Sequence, residues 1–175
     1  HNHAEAVPAA VVSGNYFDVI GLQPQLGRLI HASDEHGPNS APYIVLSAAF
    51  WHSRFHDDPR VIGSVVRLGP HPFTIIGVAP SGFRGTLMFI APDFFMPIVN
   101  QPQVDGQNLL DARGNTQGVF EMIGRLKPGV TVAQAAADLN SIGASLEKAF
   151  PKDVPHQDYS LAHPGLFVFG GPARA

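Results

Sequence analysis

Apolar residues fall along the chain in short blocks cut by glycine and proline, and the blocks predict brief strands with a few helices. Val11 and Val12 end a strand, and Ser13-Gly14-Asn15 is a turn in which Gly or Asn takes positive φ. Ser13 or Asn15 then caps a helical turn over residues 16–20, which Gly21 terminates. Pro24, Gly27 and S-D-E-H-G-P-N-S at 33–40 read as surface loop. Y-I-V-L at 43–46 is an unbroken apolar run of the kind a buried strand carries. Ser47 follows it as the cap of a helix through A-A-F-W-H-S-R-F, with Ala48, Trp51 and Phe55 on one side and Trp51 as a core anchor.

D-D-P-R breaks that helix. V-I-G-S-V-V-R-L-G then opens a hairpin in which Val66 and Leu68 share a face, G-P-H-P at 69–72 turns, and F-T-I-I-G-V at 73–78 returns. A-P-S-G-F-R-G at 79–85 is a glycine-rich loop. Residues 92–99 read as another strand, which Pro97 assigns to an edge or to a late start. Phe94 and Phe95 are adjacent and point to opposite faces of that strand; a core strand buried on both faces is the favoured reading, and one of the pair being exposed or meeting another lobe is the alternative. Residues 100–118 form the longest polar, irregular stretch, and loops of that length are usually functional or mobile. V-F-E-M-I-G-R-L-K alternates as a half-buried strand, with Phe120, Met122 and Leu126 inward and Glu121, Arg125 and Lys127 outward. Thr131 and Gln134 make a capping box for a helix over about 132–149, whose stripe is Val132, Ala136, Leu139, Ile142 and Leu146, stopped by Pro151. The tail contains L-F-V-F at 166–169, a candidate terminal strand.

Composition narrows the function classes. The 175 residues are 45% apolar and 14% charged, enough for a core in one domain or two small lobes, and Gly 18 with Pro 16 marks a turn-rich fold. Net charge is −3 and the 11 Lys and Arg are scattered singly, which argues against a nucleic-acid partner. Without cysteine there is no disulfide framework and no thiolate chemistry. No apolar run reaches the roughly 18 residues that span a bilayer, and no signal peptide opens the chain. The start, H-N-H-A-E-A-V-P, reads as the cut edge of a piece taken from something larger.

Chemistry-bearing motifs are weak. His52 and His56 stand four apart, as in metalloprotease helices, but Ser53 occupies the position of the required glutamate; an exposed polar helix face is the favoured reading. Ser47 lies between a strand and a helix without the flanking glycines of a nucleophile elbow, so it reads as a cap. S-G-F-R-G at 81–85 lacks the lysine and the helix of a phosphate loop. The pairs Asp34-Glu35 and Asp57-Asp58 sit in turns, where capping is expected, outside apolar surroundings that would raise a carboxyl pKa. Ser13 and Asp18 likewise read as turn and cap residues.

The ordered series V-S-G-N-Y-F-D-V-I-G, Y-I-V-L-S, F-W-H-S-R-F, D-P-R-V-I-G, P-F-T-I-I-G-V-A-P, G-F-R-G and I-G-R-L-K-P-G-V-T resembles the MacB-like periplasmic core domain over roughly residues 11–150. It looks most like the version in duplicated orphan permeases of the FtsX-like family, abundant in acidobacteria. The resemblance implies an α+β fold: a mixed α/β porter-like lobe with an inserted β-rich lobe. On that likeness residues 11–100 belong to the inserted, sabre-like lobe and 119–150 supply the closing strand and helix of the porter-like lobe. Residues 100–118 are then a long loop and 151–175 a tail. The first strand and helix of the porter-like lobe have no counterpart in the chain.

The same resemblance implies a periplasmic domain set between the first two membrane helices of an ABC-type permease in the inner membrane. Its implied partners are a separate ATPase subunit and a periplasmic adaptor or other envelope protein, with a dimer among the allowed assemblies. It implies no enzyme activity, cofactor or metal, and no catalytic residue carries over. The expected role is to transmit conformational change or dock a partner in export or efflux. The alternative is a ligand-binding module or enzyme whose 79–118 loops close over a pocket. Phe83, Arg84, Asp105 and Arg113 are the candidate partner or ligand contacts.

Overall fold

In the computed structural model, residues 6–86, 91–106, 110, 121–154 and 158–162 are described. The chain forms two compact units, residues 1–110 and 111–175. The first is built on a mixed sheet. Its strands are β1 (Ala9–Val12), β2 (Leu26–Gly27), β3 (Tyr43–Leu46), β4 (Val65–Leu68), β5 (His71–Val78) and β6 (Phe94–Pro97). They run in the order β1-β6-β3-β5-β2, with β4 paired to β5 beside β2. β1 lies parallel to β6 and β3 parallel to β5, whereas β6 runs antiparallel to β3.

Apolar side chains cover both faces. Ile44, Leu46, Phe73, Ile75, Val78, Phe94 and Met96 point one way, where Trp51 and Val61 close the layer. Val45, Ile76, Ala79 and Phe95 point the other way, against Val12, Phe17, Leu29 and Ile30. Strand alternation alone explains the split in β3 and β6. In β5 the alternation slips: Ile44 faces Ile75 and Val45 faces Gly77, so Ile76 is an extra residue, a bulge. That slip is why Ile75 and Val78, three apart, share a face. Gly77 is required beside it, because a Cβ there would fall 1.9 Å from the Arg28 carbonyl oxygen.

The helices of this unit are α1 (Tyr16–Ile20), α2 (Ala48–Phe55) and α3 (Gln101–Asp105). α1 forms where expected and Gly21 ends it with φ 79°. Neither Ser13 nor Asn15 caps it through a side chain; Ser13 Oγ instead donates to Asn15 Oδ1 at 2.8 Å, so the two hydroxyl and amide groups satisfy each other. Ser47 does cap α2, accepting from the Phe50 amide at 3.2 Å. Trp51 is buried and its indole N–H donates to the Asp58 carbonyl at 3.0 Å.

Several expectations are corrected. His71 and Pro72 belong to β5 and pair with Leu68 and Arg67, which leaves Gly69-Pro70 as the whole turn. β6 is an inner strand with Pro97 at its end. β3 pairs only with Phe94 and Phe95, so the missing N–H of Pro97 costs that pairing nothing. Phe94 and Phe95 are 5% and 0% exposed, buried by two layers, one on each side, which is the favoured two-sided reading of that strand. The stretch expected to be irregular from residue 100 begins with α3. Pro102 suits the first helical turn, and Gly106, with φ 77°, ends it.

The second unit contains α4 (Val132–Ala149). The Thr131–Gln134 capping box is present, with Thr131 Oγ1 accepting from the Gln134 amide at 3.2 Å and Gln134 Oε1 accepting from the Thr131 amide at 2.9 Å. Residues 121–127 form no strand, contrary to their alternation; a strand needs a neighbour to take its backbone bonds, and the described residues supply none there. The residue that α4 buries is Gly143, outside the anticipated stripe. The tail explains this. Asn140 Nδ2 donates to the Tyr159 carbonyl at 2.9 Å and its Oδ1 accepts from the Tyr159 amide at 2.8 Å, laying the Tyr159 ring over Gly143. The expected strand at 166–169 lies outside the described residues.

Phe95→Ala should lower unfolding stability by about 3–5 kcal/mol in urea titrations, the range for an emptied aromatic core site, whereas Val65→Ala, at a side chain 62% exposed, should cost no more than about 0.5 kcal/mol. In α4, Gly143→Ala gains roughly 1 kcal/mol of helix propensity, but its methyl would sit 2.6 Å from Tyr159 Cε2. The expected result is faster amide exchange at Tyr159 with an unweakened helix.

Candidate functional site

The glycine-rich loop that follows β5 carries two of the four candidate contacts, Phe83 and Arg84. Gly82 and Gly85, both at φ 82°, let it fold back on the sheet. Phe83, one of the four anticipated contacts, lands in the lower apolar layer: its ring stacks on Phe95 with centroids 5.6 Å apart and meets Phe17 at 6.3 Å and Tyr16 at 6.4 Å. Tyr16 closes the cluster from the rim, donating through its hydroxyl to Thr86 Oγ1 at 3.2 Å. Phe83 is therefore half-buried packing. Arg84 is exposed beside it.

Asp105 is exposed at the end of α3, where the buried Gln101 side chain donates to it at 2.6 Å. Arg113 lies outside the described residues. Two buried polar residues of this region carry no signal in the sequence. Asn100 accepts from the Ala41 amide at 3.1 Å and donates to Gln103 at 2.7 Å, pinning the end of β6 to the start of β3. Such roles are set by neighbours distant in sequence, so periodicity cannot reveal them.

The histidine pair separates. His52 is on α2, its Nδ1 2.6 Å from Asp57 Oδ2, while His56 has left the helix in a left-handed conformation at φ 53°. Among the described residues no group of three His, Cys, Asp or Glu could hold a metal ion.

A denser polar cluster surrounds the start of α1. Arg28 makes two bonds to Asp34, at 2.7 and 2.8 Å, and the His31 amide donates to Asp34 at 2.9 Å. His31 Nδ1 lies 2.9 Å from Asp18 Oδ1. Burial works to raise the Asp34 carboxyl, but these donors, led by Arg28, outweigh it and hold it below its ordinary value. Glu35 goes the other way: burial pushes it up and the neighbouring Asp34 charge adds, against a hydrogen bond from the Gly14 amide. The expectation that neither acidic pair lies in surroundings that raise a carboxyl is thus corrected for Glu35.

The second unit exposes apolar side chains. Ile142 is 56% exposed and Met122 75%, and Val132, Leu146 and Leu126 are also on the surface. Five of the residues expected to be inward, Val132, Ile142 and Leu146 on α4 and Met122 and Leu126 before it, are therefore outward. The tail's contact with Asn140 and Gly143 covers a neighbouring strip of the helix instead.

The first unit is a mixed sheet buried on both faces, and the second exposes apolar side chains of α4. Comparison with known proteins places it further. Residues 2–142 match the model of the MacB-like periplasmic core domain, and the chain belongs to that family. It is a periplasmic domain of the MacB-like ABC transporter permease kind, and among the described residues no helix is long and apolar enough to cross a membrane. The macrolide export ATP-binding/permease protein MacB of Salmonella paratyphi A is 36% identical over 74 residues, 42% of this chain and 11% of that protein. The MacB protein of Salmonella typhi matches equally. The chain thus spans about a tenth of the curated relatives it matches. The crystal structure of the periplasmic region of MacB from Actinobacillus actinomycetemcomitans superposes with a TM-score of 0.56 at 19% identity, covering 83% of this chain and 58% of that one, which shows a shared fold.

Because Phe83 is packing and Arg84 is surface, the two neighbours should respond oppositely. Phe83→Ala should lower stability by roughly 1–3 kcal/mol through lost apolar burial, while Arg84→Ala should stay within about 0.5 kcal/mol, both read from the urea midpoint.

Proposed function

We propose that this domain is a non-catalytic part of an export or efflux permease that transmits conformational change and docks an envelope partner. The observation that carries this reading is the apolar surface of the second unit, centred on Ile142 and Leu146. A contiguous set of exposed apolar residues on a helix gains by burial against another surface, about 1.5–3 kcal/mol for each side chain fully covered. The doubly covered sheet of the first unit supports the other half of the proposal. With packed layers on both sides it resists deformation, so a push on one edge is passed on rather than absorbed.

Within that reading, the full-length permease works with an ATPase subunit and meets a periplasmic adaptor or another envelope protein. The substrate class follows from neither unit. The ligand-binding alternative asks the 79–118 loops to close over a pocket. Phe83, its principal apolar contact, is held against Phe95, which favours docking over a lid.

The test places a photo-crosslinking residue at position 142 of the full-length permease in membranes, with a matching probe at Arg54, on the polar side of α2. Position 142 should crosslink to a protein of the envelope or of the same transporter, and position 54 should not. Ile142→Glu combined with Leu146→Glu should abolish that crosslink and weaken the contact by at least roughly tenfold per residue, with the melting temperature of the 175-residue chain unchanged. Equal labelling from both positions, with ATP-driven activity unaffected by the double variant, would remove the docking role.

A further inference from the structure

The polar cluster at the start of α1 holds an unresolved contact. Glu35 Oε1 is buried and has no hydrogen-bond partner among the described residues, whereas the Gly14 amide donates to the same carboxylate. Gly14 is itself buried, and a Cβ on it would approach Glu35 Oε2 to 2.8 Å and the Ala32 Cα to 2.8 Å. The loop is thus pressed onto the turn before α1, leaving no room for a side chain at position 14. A buried carboxylate oxygen without a donor is costly as an anion and much less so as the neutral acid.

The charges around it are unbalanced. Asp18 on α1 and Asp34 and Glu35 in the loop are carboxylates, and Arg28 is the cation bonded among them, its guanidinium 5.3 Å above the Tyr43 ring. His31 touches Asp18, and the exposed His36 follows Glu35. Three carboxylates stand against one guanidinium, so the cluster carries excess negative charge. One proton on Glu35 removes the unpaired buried anion beside Asp34.

We propose that residues 28–36 form an acid-strengthened clasp, which fastens onto the turn at 13–18 as the surroundings become acidic and loosens as they return to neutral. The sign follows from linkage. A carboxyl that binds its proton more tightly in the closed clasp than in the open loop favours closing as pH falls, and that contribution is lost as pH rises through the closed-state value. Asp34 does not oppose this in the same window. Its carboxyl is held below its ordinary 3.8, so the Arg28 bridge is lost only on stronger acidification. A periplasmic domain meets the pH of the medium more directly than a cytoplasmic one, and the clasp reaches the sheet through Leu29 and Ile30, which are buried against Phe95 and Phe17.

The test uses the 175-residue chain. Carbon-detected NMR should place the midpoint of the Glu35 carboxyl above its ordinary 4.5. Amide exchange at Asp34, Glu35 and His36, corrected for intrinsic rates, should be more protected at pH 5 than at pH 7.5. Glu35→Gln should give the high protection at both pH values. A Glu35 midpoint at or below 4.5, or equal wild-type protection at the two pH values, would overturn the proposal, whatever the variants do.

Discussion

Phe94 and Phe95 stand side by side on a strand and therefore point in opposite directions, and the fold is arranged so that both are covered. Above the sheet, α2 brings Trp51 down onto the layer that holds Phe94. Below it, α1 and the returning 79–86 loop bring Phe17 and Phe83 onto Phe95. α2 on one face and α1 with the 79–86 loop on the other are the covers. The short edge strands suffice because the middle of the sheet, β5, β3 and β6, is held by packing as well as by hydrogen bonds.

That constraint also separates the two units by what they leave uncovered. The first spends its large aromatic residues internally, including the loop phenylalanine that looked available for contact. The second covers part of α4 with its own tail, through Asn140 and Tyr159, and leaves Val132, Ile142 and Leu146 at the surface. The packed sheet and the exposed apolar helix face thus belong to different units. The polar cluster around Glu35, at the start of α1, differs in charge from the apolar layers it borders.

The elements that were legible in the sequence are those settled within a few residues. Ser47 before α2, the box of Thr131 and Gln134, Gly21 after α1 and the run 43–46 each carry a local signal strong enough to act alone. Misreadings arose where a distant neighbour decided. Pro97 suggested an edge, but β3 stops pairing before reaching it. Residues 121–127 alternate as a strand does, yet form none. Phe83 stacks on Phe95 in the sheet, a contact set by a distant neighbour, and Asp105 is tied locally to Gln101.

The sequence by itself determined the family, the helix starts and stops, and the apolar runs that must be buried, because capping, turn formation and side-chain alternation act over one to four residues. The tertiary structure alone decided which face each apolar residue covers and which stripe of α4 stays outside. It alone set Glu35 against Gly14, a meeting of residues that loop packing brings together. Pairing across a sheet and burial of a carboxylate depend on atoms far apart in the chain, and no local pattern encodes their final distance.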